Sequence, residues 1–182
     1  AAVGLTGADG GCGLSLRAPA HRSVEGHTFD LGRVGVPADG SDVRLLRTLV
    51  DAGFVPVIAS IGVDEGGQLL NVNADTFAGH VAARLNARRL VIGGTTPGVL
   101  GENGATVPVL ESNAIARMVT SGTATAGMIA KLRACEHALA GGVDDVVIVD
   151  GRDGAAIESA AAGIVPAAAT RLVATVSLEH GV

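Results

Sequence analysis

LLNVNADTFAGHVAARLNARRLVIGGTTPG, the stretch Leu69–Gly98, decides the fold class. It opens on a strand-like run to Val72. A helix follows, with Ala74, Phe77, Ala78, Val81, Ala82 and Leu85 at i, i+3, i+4, i+7, i+8 and i+11, which puts one apolar stripe along it. Arg84, Arg88 and Arg89 gather towards its C-terminal end, where the helix dipole favours cations. A short buried strand at Leu90–Ile92 then runs into the glycine-rich loop Gly93–Gly98. Strand, helix, strand, small-residue loop is the unit of a parallel α/β sheet, whose ligands sit beyond the strand C-terminal ends.

The pattern continues outward. Upstream, Ser41 is placed to cap a helix carrying Val43, Leu46, Leu49 and Val50, closed by Gly53. Val55–Ile61 reads as a buried strand, and Asp64-Glu65-Gly66-Gly67 as a hairpin turn returning to Val72. The opening run Ala2–Leu5 predicts a strand. Asp9-Gly10-Gly11 predicts a hairpin joining it to Gly13–Arg17, with Asp30–Val36 as a further partner. Downstream, helices are expected over Ser112–Val119, Met128–Ala140 and Ala155–Ala162, and strands over Val146–Val149 and Arg171–Val176.

Composition narrows the function. The 182 residues are 48% hydrophobic but only 2% aromatic, so the core must be Val, Leu, Ile and Ala. The net charge of −5 and scattered cations argue against a nucleic-acid binder, which needs clustered Lys and Arg. Cys12 and Cys135 form no C-x-x-C pair, which suits a reduced, cytoplasmic chain. No apolar run approaches membrane-span length and no signal peptide is evident. The five histidines show no metal-ligand spacing.

Lys131 is the only lysine beside twelve arginines. The sequence places it in the first turn of a helix, after the small-residue run Ser121–Met128. A helix N-terminus offers free N–H groups to anions, and a compact ammonium adds a mobile point charge suited to a phosphoryl group. A solvated surface lysine is the plain alternative. In Asn71-Val72-Asn73-Ala74-Asp75, Asn73 is placed to cap the helix and Asp75 to complement its dipole. Asn71 needs another account: an amide there would hydrogen-bond a carboxylate or phosphate. Asp75 is a candidate ion-pair partner for Lys131. Gly93–Gly98 offers N–H groups and hydroxyls to nucleotide phosphates, though it serves equally as a bare turn. No Walker-type loop, dinucleotide fingerprint or nucleophile elbow is present.

Gly53–Val63, Gly67–Asp75, Pro97–Leu100, Gly127–Lys131 and Val149–Arg152 together resemble the acetylglutamate kinases of the amino acid kinase family; Ala2–Gly7 and Asp30–Gly32 match in the same register. The resemblance implies a three-layer α/β/α sandwich around a mainly parallel sheet. It implies ATP-dependent phosphorylation, with Mg²⁺, of the side-chain carboxylate of N-acetyl-L-glutamate in arginine biosynthesis. Asn71, with Asn73 beside it, would bind the substrate carboxylate. Lys131 and Asp75 would be catalytic. Gly94, Thr95, Gly127, Met128, Asp150 and Arg152 would bind the nucleotide, and no protein-held metal is implied.

The family's early lobe carries a lysine-glycine pair on its first strand and a His-Gly-Gly-Gly loop, and neither occurs in these residues. Thr95 stands where the family often has an acid. The expectation is therefore one amino acid kinase-like domain, incomplete at its N-terminus. Residues 1–73 would be the rest of a substrate lobe and 74–182 a nucleotide-binding lobe. It would act as a homo-oligomer or paired with the missing segment. Two other readings stand beside it: a non-catalytic nucleotide- or amino-acid-binding regulatory descendant, and a kinase for another acyl-amino acid such as a carrier-linked aminoadipate.

Overall fold

The computed structural model describes residues 1–23, 25–101, 103–121 and 126–175. They form two compact units, Ala1–Leu85 and Asn86–Val182. Both are mixed α/β, and four of the eight strand pairings are parallel among the described residues.

In the first unit, β1 (Ala2–Thr6) pairs in parallel with β6 (Val55–Ala59), Ala2 opposite Val55. A second sheet has β2 (Ser15–Arg17), β5 (Val34–Pro37), β8 (Leu69–Val72) and β7 (Ile61–Val63) in the order β2-β5-β8-β7. The strands β3 (His21–Arg22) and β4 (Thr28–Phe29) make a small antiparallel ribbon. Helices α1 (Arg44–Asp51) and α2 (Ala74–Leu85) complete the unit. Cys12, Val43, Leu46, Val72, Phe77 and Val81 form its buried core, so the apolar stripe of α2 faces this unit. Strand β8 before α2 and the strand after it, β9 (Arg89–Gly94), accordingly lie in different sheets.

Three local expectations are corrected. Asp9-Gly10-Gly11 is a single 3-10 turn, with Gly10 and Gly11 at φ 62° and 73°, and β1 does not pair with β2. The Asp9 carboxylate accepts hydrogen bonds from the Thr6 N–H and hydroxyl, at 2.7 and 2.9 Å, which tightens the turn instead of opening a hairpin. Ser41 does not cap α1, which starts at Arg44 without a side-chain cap. It is fully buried, its hydroxyl 3.0 Å from both the Ala38 carbonyl and His80 Nε2. The run Val55–Ile61 breaks after Ala59 into β6 and β7, which serve different sheets.

Asn73 caps α2 as its position predicts. Its Oδ1 accepts from the Thr76 N–H at 3.1 Å, satisfying one of the helix's four orphan donors. Asn86, at φ 53°, follows the last helical residue in the left-handed conformation that asparagine tolerates. Replacing Asn73 with Ala is expected to cost about 1 kcal/mol of stability, measured by urea unfolding followed by circular dichroism.

The second unit holds β9 (Arg89–Gly94), β10 (Val109–Glu111), β11 (Asp145–Asp150) and β12 (Thr170–Val173), in the order β10-β12-β11-β9. Strands β9 and β11 run parallel with Arg89 opposite Asp145 and Gly94 opposite Asp150. Helices α3 (Ser112–Ser121), α4 (Ala126–Ala140) and α5 (Gly154–Ala161) accompany them. Val146 to Val149 are all buried, which identifies β11 as a strand covered on both faces. Val147 and Val149 pack with Ala156 and Ala160 of α5. Alternation sends Val146 and Ile148 to the other face. On α4, Leu132, Cys135 and Leu139 are buried at helical spacing, and Gly142, at φ 93°, follows the helix. Val176, expected in the last strand, lies outside the described residues. No described helix is long and apolar enough to cross a membrane.

Candidate functional site

The parallel pair β9–β11 ends in register, which brings the loops after both strands to one edge of the sheet. The Gly151 N–H donates to the Gly94 carbonyl at 2.8 Å, continuing the contact one residue past β11. The chains touch closely here: a β-carbon on Gly93 would lie 3.2 Å from the Gly151 Cα. Only glycine at both positions permits that approach without displacement.

Lys131 joins the same edge from α4. Its Nζ donates to the Gly93 carbonyl at 3.3 Å. The helix begins at Ala126, so Lys131 is its sixth residue and not part of the first turn as the sequence suggested. Ala126 and Gly127 extend the helix backward, alanine being the strongest helix former. Gly127 and Met128 therefore occupy the first turn, with Gly127 exposed and Met128 half-buried. Residues 122–125 of the small-residue run lie outside the described residues.

Arg152 and Asp150 form the most heavily bonded group of the site. The guanidinium donates from Nε to Asp150 Oδ1 at 2.9 Å and from Nη2 to Oδ2 at 2.7 Å. The Arg152 N–H also donates to Asp150 Oδ1, at 3.0 Å, and Nη2 reaches the Thr95 carbonyl at 3.0 Å. These bonds, led by the guanidinium, hold the Asp150 carboxyl down at about 2.

The structure thus brings Gly94, Thr95, Lys131, Asp150 and Arg152 together, with Gly127 and Met128 one turn before Lys131. Sequence reading missed the Gly93 carbonyl as the acceptor for Lys131. It also missed Thr170, which is fully buried on β12. The Thr170 hydroxyl donates to the Val107 carbonyl at 2.7 Å and accepts from the Val99 N–H at 2.8 Å. It anchors the chain just beyond the Gly93–Gly98 loop. A threonine in an apolar terminal strand was the signal available for it.

In the first unit, Asn71 is exposed on β8, opposite Val34 of β5 and Ile61 of β7. Two residues on, Asn73 caps α2, and Asp75 is half-buried in its first turn. An exposed amide on a sheet face, next to a helix N-terminus, is suited to hydrogen-bonding a carboxylate.

The amino acid kinase family model matches residues 15–150. The chain belongs to the amino acid kinase family. It is similar to the acetylglutamate kinase of Novosphingobium aromaticivorans, at 40% identity over 160 residues, covering 83% of this chain and 52% of that protein. Similarity to the acetylglutamate kinase of Oleidesulfovibrio alaskensis is 39% over 154 residues, with coverage of 83% and 52%. The chain thus spans about half the length of the curated relatives it matches. Among solved structures, N-acetylglutamate synthase of Neisseria gonorrhoeae, complexed with coenzyme A and L-arginine, aligns with a TM-score of 0.74 at 21% identity. It covers 94% of this chain and 37% of that one. Carbamate kinase of Giardia aligns at 0.66 and 15% identity, covering 96% and 62%. At these identities the likeness is one of fold, the α/β fold of the amino acid kinases.

Proposed function

We propose that this chain carries the nucleotide-binding part of a kinase that moves the ATP γ-phosphoryl group to the side-chain carboxylate of N-acetyl-L-glutamate or a close acyl-amino acid. The observation that carries the reading is the meeting of Lys131, Gly93–Thr95 and Asp150–Arg152 at the C-terminal edge of two parallel strands. Ligands of α/β sheets bind at such edges. The similarity to proteins named acetylglutamate kinase supports an acyl-glutamate acceptor.

In this reading Lys131 leaves the Gly93 carbonyl for the phosphoryl oxygens, where its charge offsets what builds up in transfer. The N–H groups at Gly127 and Met128 lie along the phosphates. Asn71 holds the acceptor's α-carboxylate, and Asp75, at the start of α2, serves as a catalytic carboxylate. Mg²⁺ would arrive with the nucleotide, since it is commonly held through substrate phosphates. The reaction belongs to the cytoplasm, where ATP and free amino acids are available.

Titration calorimetry with ADP and Mg²⁺ tests the reading. Binding is expected; a folded protein that gives no heat at millimolar ligand would sink it. Lys131→Ala is expected to weaken ATP by about 1.5–3 kcal/mol, the worth of a charged hydrogen bond, and adenosine hardly at all. Equal losses for the two ligands would make Lys131 structural only.

A further inference from the structure

We propose that Arg152 is a positioning residue, a clasp that sets the shape of the nucleotide loop after β9 from the loop after β11, and not itself a ligand for phosphate. The inference rests on the proposed nucleotide site. Both carboxylate oxygens of Asp150 accept from the guanidinium, and the same Nη2 holds the Thr95 carbonyl at 3.0 Å, across 57 residues of sequence. An arginine whose fork is occupied in this way brings few donors to a ligand, while the backbone it holds is the backbone a phosphate would meet.

The molecule contains its own control. Asp42 and Arg44 repeat the same D-x-R arrangement. The Arg44 N–H donates to Asp42 Oδ1 at 2.9 Å, and its Nε donates to Oδ1 at 3.1 Å and Oδ2 at 2.8 Å. The side chain of Arg44 has no hydrogen-bond partner outside that pair among the described residues. The local clasp is thus a general habit of this tripeptide. What Arg152 adds is the third bond to another loop. The guanidinium is 74% exposed and Asp150 only 21%, so the clasp lies over the rim of the site and not in the core. Its loss should loosen the rim and leave the sheet intact.

Arginine and lysine separate a clasp from a charge. A planar fork serves two carboxylate oxygens and a carbonyl in fixed directions, whereas an ammonium on a flexible stem supplies charge without that geometry. Arg152→Ala, Arg152→Lys and Arg44→Ala are to be compared by ADP calorimetry and by hydrogen exchange of peptides covering residues 93–101. Both Arg152 variants are expected to weaken ADP about tenfold, the scale of one charged hydrogen bond, and to speed exchange in that loop. Arg44→Ala should change neither. Recovery of full affinity in Arg152→Lys would reassign Arg152 as a charge contact and overturn the proposal. So would unchanged affinity in Arg152→Ala. Arg152→Lys carries the test if the alanine variant does not fold. A wild-type protein that binds no ADP removes the site reading and this inference with it. Loss of this inference alone requires a wild type that binds.

Discussion

Replacing Asp145 with Ala is expected to destabilise the protein by about 3–5 kcal/mol, the cost of removing one partner from a buried ion pair. The carboxylate is 5% exposed at the start of β11. Arg89 on β9 donates to Oδ1 from Nε and to Oδ2 from Nη2, both at 2.7 Å, and Arg171 on β12 donates to Oδ2 at 2.7 Å. The third arm of Arg89 takes the Ala160 carbonyl at 3.1 Å, near the end of α5, where cations suit the helix dipole. One buried acid therefore joins three strands and the covering helix. Without it, a guanidinium only 19% exposed is left beside a second cation, without the carboxylate that bonds both. Replacing Asp145, Arg89 and Arg171 together with apolar residues of similar size should cost less than Asp145→Ala alone, because desolvation of the ions is removed with their attraction.

The pH dependence follows from the same bonds. The Arg89 hydrogen bonds, with help from Arg171, hold the Asp145 carboxyl below the usual aspartate range against the opposing effect of burial. A depressed folded value means that the unfolded chain binds the proton first. The stabilisation is then complete above the ordinary aspartate range and is lost as pH falls through the folded value. Urea unfolding should show the widest gap between wild type and Asp145→Ala near neutrality and a narrowing gap in acid. A gap that stays constant into strong acid would mean that the network contributes nothing through its charge.

Local periodicity made most elements legible. The stripe from Phe77 to Leu85, the buried run at Val146–Val149 and the asparagine cap at Asn73 are patterns within a few residues, and the structure keeps them. What failed needed a distant partner. Asp-Gly at 9–10 suits a hairpin or a 3-10 turn equally, and only the parallel pairing of β1 with β6, some fifty residues on, decides. Asp145 reads as one acid at the head of an apolar strand. The arginines that give it meaning are 56 and 26 residues away. The resemblance places Arg152 among the nucleotide-binding residues. Its bonds to Asp150 and Thr95 were not visible in that context.

The 182-residue polypeptide, assayed alone, is expected to form no measurable acetylglutamyl phosphate. Phosphoryl transfer asks a protein chiefly for position and charge, with little covalent work. The family resemblance implies lysines on two sides of the transferring group, and these residues contain one lysine in all. It also implies a His-Gly-Gly-Gly loop that fixes the acceptor in line, and that motif does not occur here. Losing one preorganised charge typically costs about 10²–10³ in rate. Misplacing an acceptor by about an ångström adds a factor of about 10². Together these are expected to take turnover below detection while leaving the proposed nucleotide binding, which would rest on the β9–β11 edge. A hydroxylamine trap for the acyl phosphate, with ATP, Mg²⁺ and N-acetyl-L-glutamate, reads the outcome. Adding a segment that bears the lysine-glycine strand and the glycine loop, in the same chain or as a second polypeptide, should bring the signal up. Robust product from the 182 residues alone would show that Lys131 and its neighbours suffice for the chemistry.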